Sequence, residues 1–271
     1  MTKKRNTSIQ MNQQEADDWL SKTTGNLIIT EENQYFFKHA DLFLKNIEPT
    51  KSLLIETLQM PLYGLKTKVD TKVNTKGTWY ARRLAADSLN AAIKHNLRVN
   101  MPEMKFEVLF NEGVFYDTPA TSGFDFTIID DVNNLINFRN YCFGRRAIYN
   151  GENMWREELE KDYRLEWKSL AELYDLESYT KGIDLPYNKT KPTIIGEIQF
   201  ANWGLMYYDI LKTIQIEQFF DIDFLIYITA AGNLSRYISD GTVNYEKTKK
   251  ALDEFKNVIK YPIWLIGIDL E

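Results

Sequence analysis

A chain of 271 residues with 44% hydrophobic and 14% aromatic side chains has enough apolar material for a packed core, which excludes a disordered segment. The single cysteine, Cys142, excludes a disulfide framework within one chain and fits a reducing cytoplasm, and no apolar run approaches a membrane span. The net charge of -5 argues against binding a phosphate backbone, but the charge is uneven. From Lys51 to Arg98 nine basic residues (Lys51, Lys66, Lys68, Lys72, Lys76, Arg82, Arg83, Lys94, Arg98) stand against Glu56, Asp70 and Asp87, so the remainder carries -11. Two readings follow, a face that steers a polyanion and a solvated basic loop. The start, Met1 to Thr7, lacks the apolar stretch of a signal peptide, so a soluble cytoplasmic protein is expected.

In chain order, residues 13–20 and 34–58 read as helical, with Phe36, Phe37, Ala40, Phe43, Leu44 and Ile47 at near-helical spacing and Pro49 dividing two helices. Residues 66–76 alternate small or apolar with basic side chains, as an exposed strand or a loop. A helix over 79–95 carries Arg82, Arg83 and Asn90. Residues 106–110 and 124–129 resemble short strands, and 155–176 one or two charged helices. From Ile183 the pattern is regular: a helix over 205–219, an apolar strand over 224–229, a loop through 240–242, an amphipathic helix over 245–259 and a last strand over 263–268. Strands alternating with helices predict an α/β (α+β) fold, a mixed central sheet flanked by helices.

The run Ile194-Ile195-Gly196-Glu197-Ile198-Gln199-Phe200 is the most informative segment. Strand alternation puts Glu197 and Gln199 on one face and Ile198 and Phe200 on the other. Asp184 stands thirteen residues before Glu197, and the turn formers between them predict a hairpin that brings the two carboxylates together. Adjacent anions repel, and a hard divalent cation such as Mg²⁺ relieves the repulsion; it also activates water and neutralises charge on a phosphoryl group. Solvated charges on an exposed hairpin are the plain alternative, but polar side chains within an apolar strand are costly without partners. Asp125 also follows a turn, yet it stands 72 residues before Glu197 with no hairpin to join them, so Asp184 is the expected carboxylate. His39 and His95 are isolated, which speaks against zinc, and no glycine-rich phosphate loop is present. Trp203, Tyr207 and Tyr208 fit a base-stacking platform or, more commonly, a core or interface stripe.

An Asp, then Glu-x-Lys or a variant on a strand, then helix, strand, helix and strand resembles the PD-(D/E)XK fold of type II restriction endonucleases. Gln199 stands in the Lys position, and this Glu-x-Gln ending is similar to the BglII/BstYI-like subgroup. The segment from Gly196 to Trp203 resembles that subgroup's catalytic strand and turn, Asn244 to Ile268 its closing helix and strand, and Leu58 to Leu62 a segment near its N-terminus. The resemblance implies one nuclease domain over 1–271: a helical, basic, DNA-facing part over 1–100, an insertion or subdomain over 101–180, and a catalytic core over 181–271. It further implies that Asp184, Glu197 and the main-chain carbonyl of Ile198 hold one or two Mg²⁺, and that Gln199 orients the attacking water. Asn202 is expected to read a base or to cap the following helix, two open readings. Arg236 and Thr242 belong to a second recognition loop or a mere connector; Lys66, Lys68, Arg82 and Arg83 are expected on the DNA backbone, and Asn90 as an added polar group or a surface residue. The implied activity is Mg²⁺-dependent cleavage of double-stranded DNA at a short palindrome, leaving 5′-phosphates, by a homodimer whose cognate methyltransferase is encoded nearby. A non-cleaving DNA-binding protein on a degenerate scaffold, and a repair or transposition nuclease, are the alternatives.

Overall fold

The long apolar runs of this chain become strands shielded on both faces, and the polar breaks in them position the site. The computed structural model describes residues 11–75, 77–118, 123–218, 222–238 and 242–271. Met1 to Thr7, Lys76, Ser122, Phe219, Asp240 and Gly241, which enter the sequence expectations, lie outside the described residues. The chain divides into two units: Met1–Met104, Glu197–Ile214 and Leu225–Glu271 form the first, and Lys105–Gly196 with Gln215–Phe224 the second.

The first unit begins with α1 (Gln13–Ser21), where Asn12 and Glu15 exchange side-chain to backbone hydrogen bonds at the N-terminus. It continues through β1 (Thr24–Gly25), β2 (Leu27–Ile28), β3 (Gln34–Phe37), α2 (Ala40–Asn46) and α3 (Glu48–Leu58), with Pro49 in the first turn of α3. Then come β4 (Leu62–Tyr63), the hairpin of β5 (Thr67–Asn74) and β6 (Gly77–Leu84), and α4 (Ala86–Asn100). Two expected helices are corrected here. Residues 34–37 are a strand because β12 (Ile263–Leu270) offers them an antiparallel partner, Phe36 opposite Trp264. Arg82 and Arg83 lie on a strand as well, since β-favouring Thr78, Trp79 and Tyr80 pair across the hairpin with Val73, Lys72 and Thr71; helix begins only at Ala86.

The second unit contains β7 (Lys105–Asn111), β8 (Val114–Asp117), β9 (Phe124–Ile128), α5 (Asp131–Phe143), α6 (Gly151–Leu159), α7 (Leu165–Leu173) and the start of β10 (Ile194–Gln199), with strands in the order β10-β9-β7-β8. Asp130 caps α5 by accepting from the Asn133 N–H. Tyr116, Phe138, Trp155 and Trp167 pack in a core of its own, with Phe138 stacked on Trp155 at 5.3 Å between centroids. Residues 101–180, expected as an insertion or subdomain, supply three of the four strands of this unit.

One glycine sets a close approach. Gly196 faces Phe126 in the β9–β10 register, and a Cβ built on it meets the ring at 2.0 Å. Phe126 is fully buried and has nowhere to swing. Gly196→Ala is therefore expected to cost about 1–3 kcal/mol, read as a lower Tm; an unchanged melting curve would show that the ring yields freely.

The chain returns to the first unit through the end of β10, followed by α8 (Trp203–Glu217), β11 (Phe224–Ala230), α9 (Leu234–Tyr237), α10 (Tyr245–Glu254) and β12. β11 and β12 pair in parallel from Leu225 with Ile263 to Ala230 with Ile268, and all these residues are buried. β10 lies beside β11, and β2 and β3 add antiparallel to β12. The unit thus has the mixed sheet expected of the sequence.

Candidate active site

In the first unit, the expected common face of Glu197 and Gln199 is turned toward α8. Glu197, only 4% exposed, pairs through Oε1 with the Lys212 ammonium at 2.5 Å. Gln199 Nε2 donates to Asp209 Oδ2 at 3.0 Å, and its Oε1 accepts from the Ala201 N–H at 3.0 Å. Buried Asp209 also accepts from the Tyr227 hydroxyl at 3.1 Å. Asp209 and Lys212 are three residues apart on one helix face, which is why they meet side chains two apart on a strand. Ile198 and Phe200, each 3% exposed, pack into the core. The sequence reading missed Asp209 and Lys212; the signal was an acid and a base three apart inside the apolar helical run 203–216.

The expected hairpin between Asp184 and Glu197 does not form. Residues 182–193 have no strand, and β10 pairs instead with β9, Ile194 with Ile128, Ile195 with Thr127 and Gly196 with Phe126. The reason lies in α5, which satisfies the backbone a hairpin arm would need. Arg139, 1% exposed, donates to the carbonyls of Tyr179, Thr180 and Ile183, and Asn140 bonds both the N–H and the carbonyl of Leu185. Asp184 Oδ1 accepts from the Arg145 N–H at 2.8 Å. Burial lowers the Arg139 pKa from its usual value while the charge of Asp184 opposes that shift. Further along, Asp130 accepts from the N–H and hydroxyl of Thr190 at 2.8 and 2.7 Å. Burial raises its pKa, but hydrogen bonds from Asn133, Thr190 and Lys191 outweigh that and hold the carboxyl below its usual range.

The residues singled out for contacting a polyanion fall into two groups, both in the first unit. Asn202 and Thr242, forty positions apart, form an antiparallel bridge. Exposed Asn202 also accepts from the Gly204 N–H at 3.1 Å, so its carbonyl does cap α8. Thr242 is nearly buried, and its carbonyl accepts from the Lys247 ammonium at 2.8 Å. In the second group, Arg83 pairs with Asp70 at 2.8 Å and donates to the Arg236 carbonyl at 2.9 Å. Arg236 is exposed on α9, a short helix where a loop was expected. Arg82 lies over the Trp19 ring at 5.8 Å, and the side chains of Lys66 and Lys68 are exposed. Half-buried Asn90 lies on α4, its Oδ1 enclosed without a hydrogen-bond donor among the described residues.

Among the described residues no three His, Cys, Asp or Glu side chains converge as a metal cluster, and no helix is long and apolar enough to cross a membrane. No curated protein matches the chain. A crystal structure of restriction endonuclease BglII complexed with a DNA 16-mer is similar over 86% of this chain and 76% of that one, at 17% identity and a TM-score of 0.43. The family described as restriction endonuclease BglII/BglIII matches residues 33–268, which span β3 to β12 and include Glu197 and Gln199. By that match the chain belongs to the BglII/BglIII restriction endonuclease family and is a type II site-specific deoxyribonuclease.

Proposed function

We propose that this endonuclease binds double-stranded DNA and hydrolyses it in a Mg²⁺-dependent reaction at a short palindrome, leaving a 5′-phosphate and a 3′-hydroxyl with a 5′ overhang. The observation that carries the reading is the buried Glu197 with Gln199 on the same strand face, in a chain of this family. The donor set fits a hard divalent cation: Glu197 is a carboxylate already gathering positive charge in a nearly closed setting. Glu197 and the Ile198 carbonyl would hold one or two such ions. The further carboxylate would be Asp184 or Asp125, the two that the sequence offers. When bound, the cation supplies Lewis acidity at the scissile phosphate and lowers the pKa of water.

Gln199, its amide fixed by Asp209 and Ala201, orients the attacking water with its remaining N–H. Asn202 and Thr242 face the bases, and Lys66, Lys68, Arg82, Arg83 and Arg236 the phosphates. Two sites are needed to cut both strands of a palindrome, so the assembly is a symmetric homodimer acting in the cytoplasm, with a methyltransferase encoded nearby to protect host DNA. Incubation with plasmid in Mg²⁺ is expected to give discrete fragments that EDTA prevents. Random nicking, or retention of DNA without cutting, would reject sequence-specific cleavage.

A further inference from the structure

Gln199 leaves an electrostatic gap beside the phosphate. A neutral amide offers no positive charge, and both ends of this one are engaged, Nε2 with Asp209 and Oε1 with the Ala201 N–H. Phosphodiester hydrolysis builds negative charge on the phosphoryl oxygens, so a positioned cation near them lowers the barrier. One such cation stands 2.5 Å from the oxygen proposed to hold metal.

We infer that Lys212 of α8 is a catalytic residue, whose ammonium contacts the scissile phosphate and supplies the charge that Gln199 cannot. The inference rests on the reading of Glu197 as a metal-holding carboxylate. Its geometry is specific. Lys212 lies one helical turn beyond Asp209, the residue that fixes Gln199, so one face of α8 addresses both polar residues of β10. The Lys212 side chain is 20% exposed against 6% for Glu197, so it is the more accessible partner of that pair. The Tyr208 ring, 5.7 Å from Nζ, flanks the ammonium and limits where it swings. A lysine stem of four carbons lets the head group leave Glu197 for a phosphate oxygen once another cation has taken the carboxylate.

The competing role is a placeholder that neutralises Glu197 before the metal arrives. The two roles are separated by single-turnover cleavage at saturating Mg²⁺ together with calorimetric titration of Mg²⁺ into the metal-free full chain. Lys212→Ala is expected to slow cleavage by about 100-fold or more, while Mg²⁺ binds as tightly as before or more tightly. Lys212→Arg is expected to keep cleavage within about tenfold of the parent. Adding Gln199→Lys to Lys212→Ala is expected to recover at least tenfold, because it returns a cation to the same face; a purely structural role would not respond so. Cleavage near the parent rate in Lys212→Ala overturns the proposal and leaves the placeholder. A loss that excess Mg²⁺ repairs, or one that neither Lys212→Arg nor Gln199→Lys mitigates, overturns it as well. Failure of the underlying reading shows separately, as normal cutting by Glu197→Ala.

Discussion

Glu197→Ala is expected to reduce cleavage by three to four orders of magnitude while the protein still folds and still retains DNA in EDTA. Loss of a carboxylate that holds the cation removes several kcal/mol of transition-state stabilisation, and each decade of rate corresponds to about 1.4 kcal/mol. The stability effect is smaller. Removing one partner of a fully buried ion pair costs about 3–5 kcal/mol, but the Lys212 side chain keeps 20% of its surface exposed and can turn its ammonium to solvent. A drop of about 1–2 kcal/mol is therefore expected, and Glu197→Gln, which keeps the shape, should melt closer to the parent. The same assay decides the second carboxylate. Whichever of Asp125→Asn and Asp184→Asn loses cutting as Glu197→Ala does supplies it. Normal cutting by all three variants would remove the site from β10 altogether.

Legibility in the sequence followed how local each signal was. Residues 194–268 were read well because their strands are continuous apolar runs and α8 and α10 carry strong helical periodicity; even so, α10 ends at Glu254 rather than 259. Glu197 and Gln199 stood out for the same local reason, two polar side chains on alternate positions of an apolar strand. The pairing of β10 was not legible, since its partner β9 lies some seventy residues upstream and nothing local encodes that closure. The turn-rich stretch after Asp184 imitated a hairpin, but Arg139 and Asn140 on α5 bind the backbone of Ile183 and Leu185 on either side of Asp184. Likewise the alanines and leucines after Trp79 suggested one helix, although its first turns are a strand held by pairing with β5. Asp209 and Lys212 were hidden because their importance depends on which face of α8 meets β10, a tertiary fact.

Arg164 carries the largest expected stability effect in the second unit. Its guanidinium is 1% exposed, donates through Nε to Glu158 at 2.8 Å and through Nη1 to the Asp117 carbonyl at 3.0 Å, and pairs with the Asp117 carboxylate. It also lies 4.2 Å from the Trp167 centroid and 5.9 Å from that of Tyr116, both members of the unit's core. Arg164→Met fills similar volume but leaves Glu158, whose side chain is 9% exposed, with only the Lys161 pair to offset its charge. The expected cost is about 3–5 kcal/mol, a fall in Tm on the order of 10 °C for a protein of this size. Arg164→Lys should fall between, because an ammonium keeps the charge but cannot make the forked contact with Glu158 and Asp117 together. Adding Glu158→Gln to Arg164→Met should recover part of the loss by removing the stranded carboxylate; if the single variant melts within about 2 °C of the parent, this network is not what holds the second unit together.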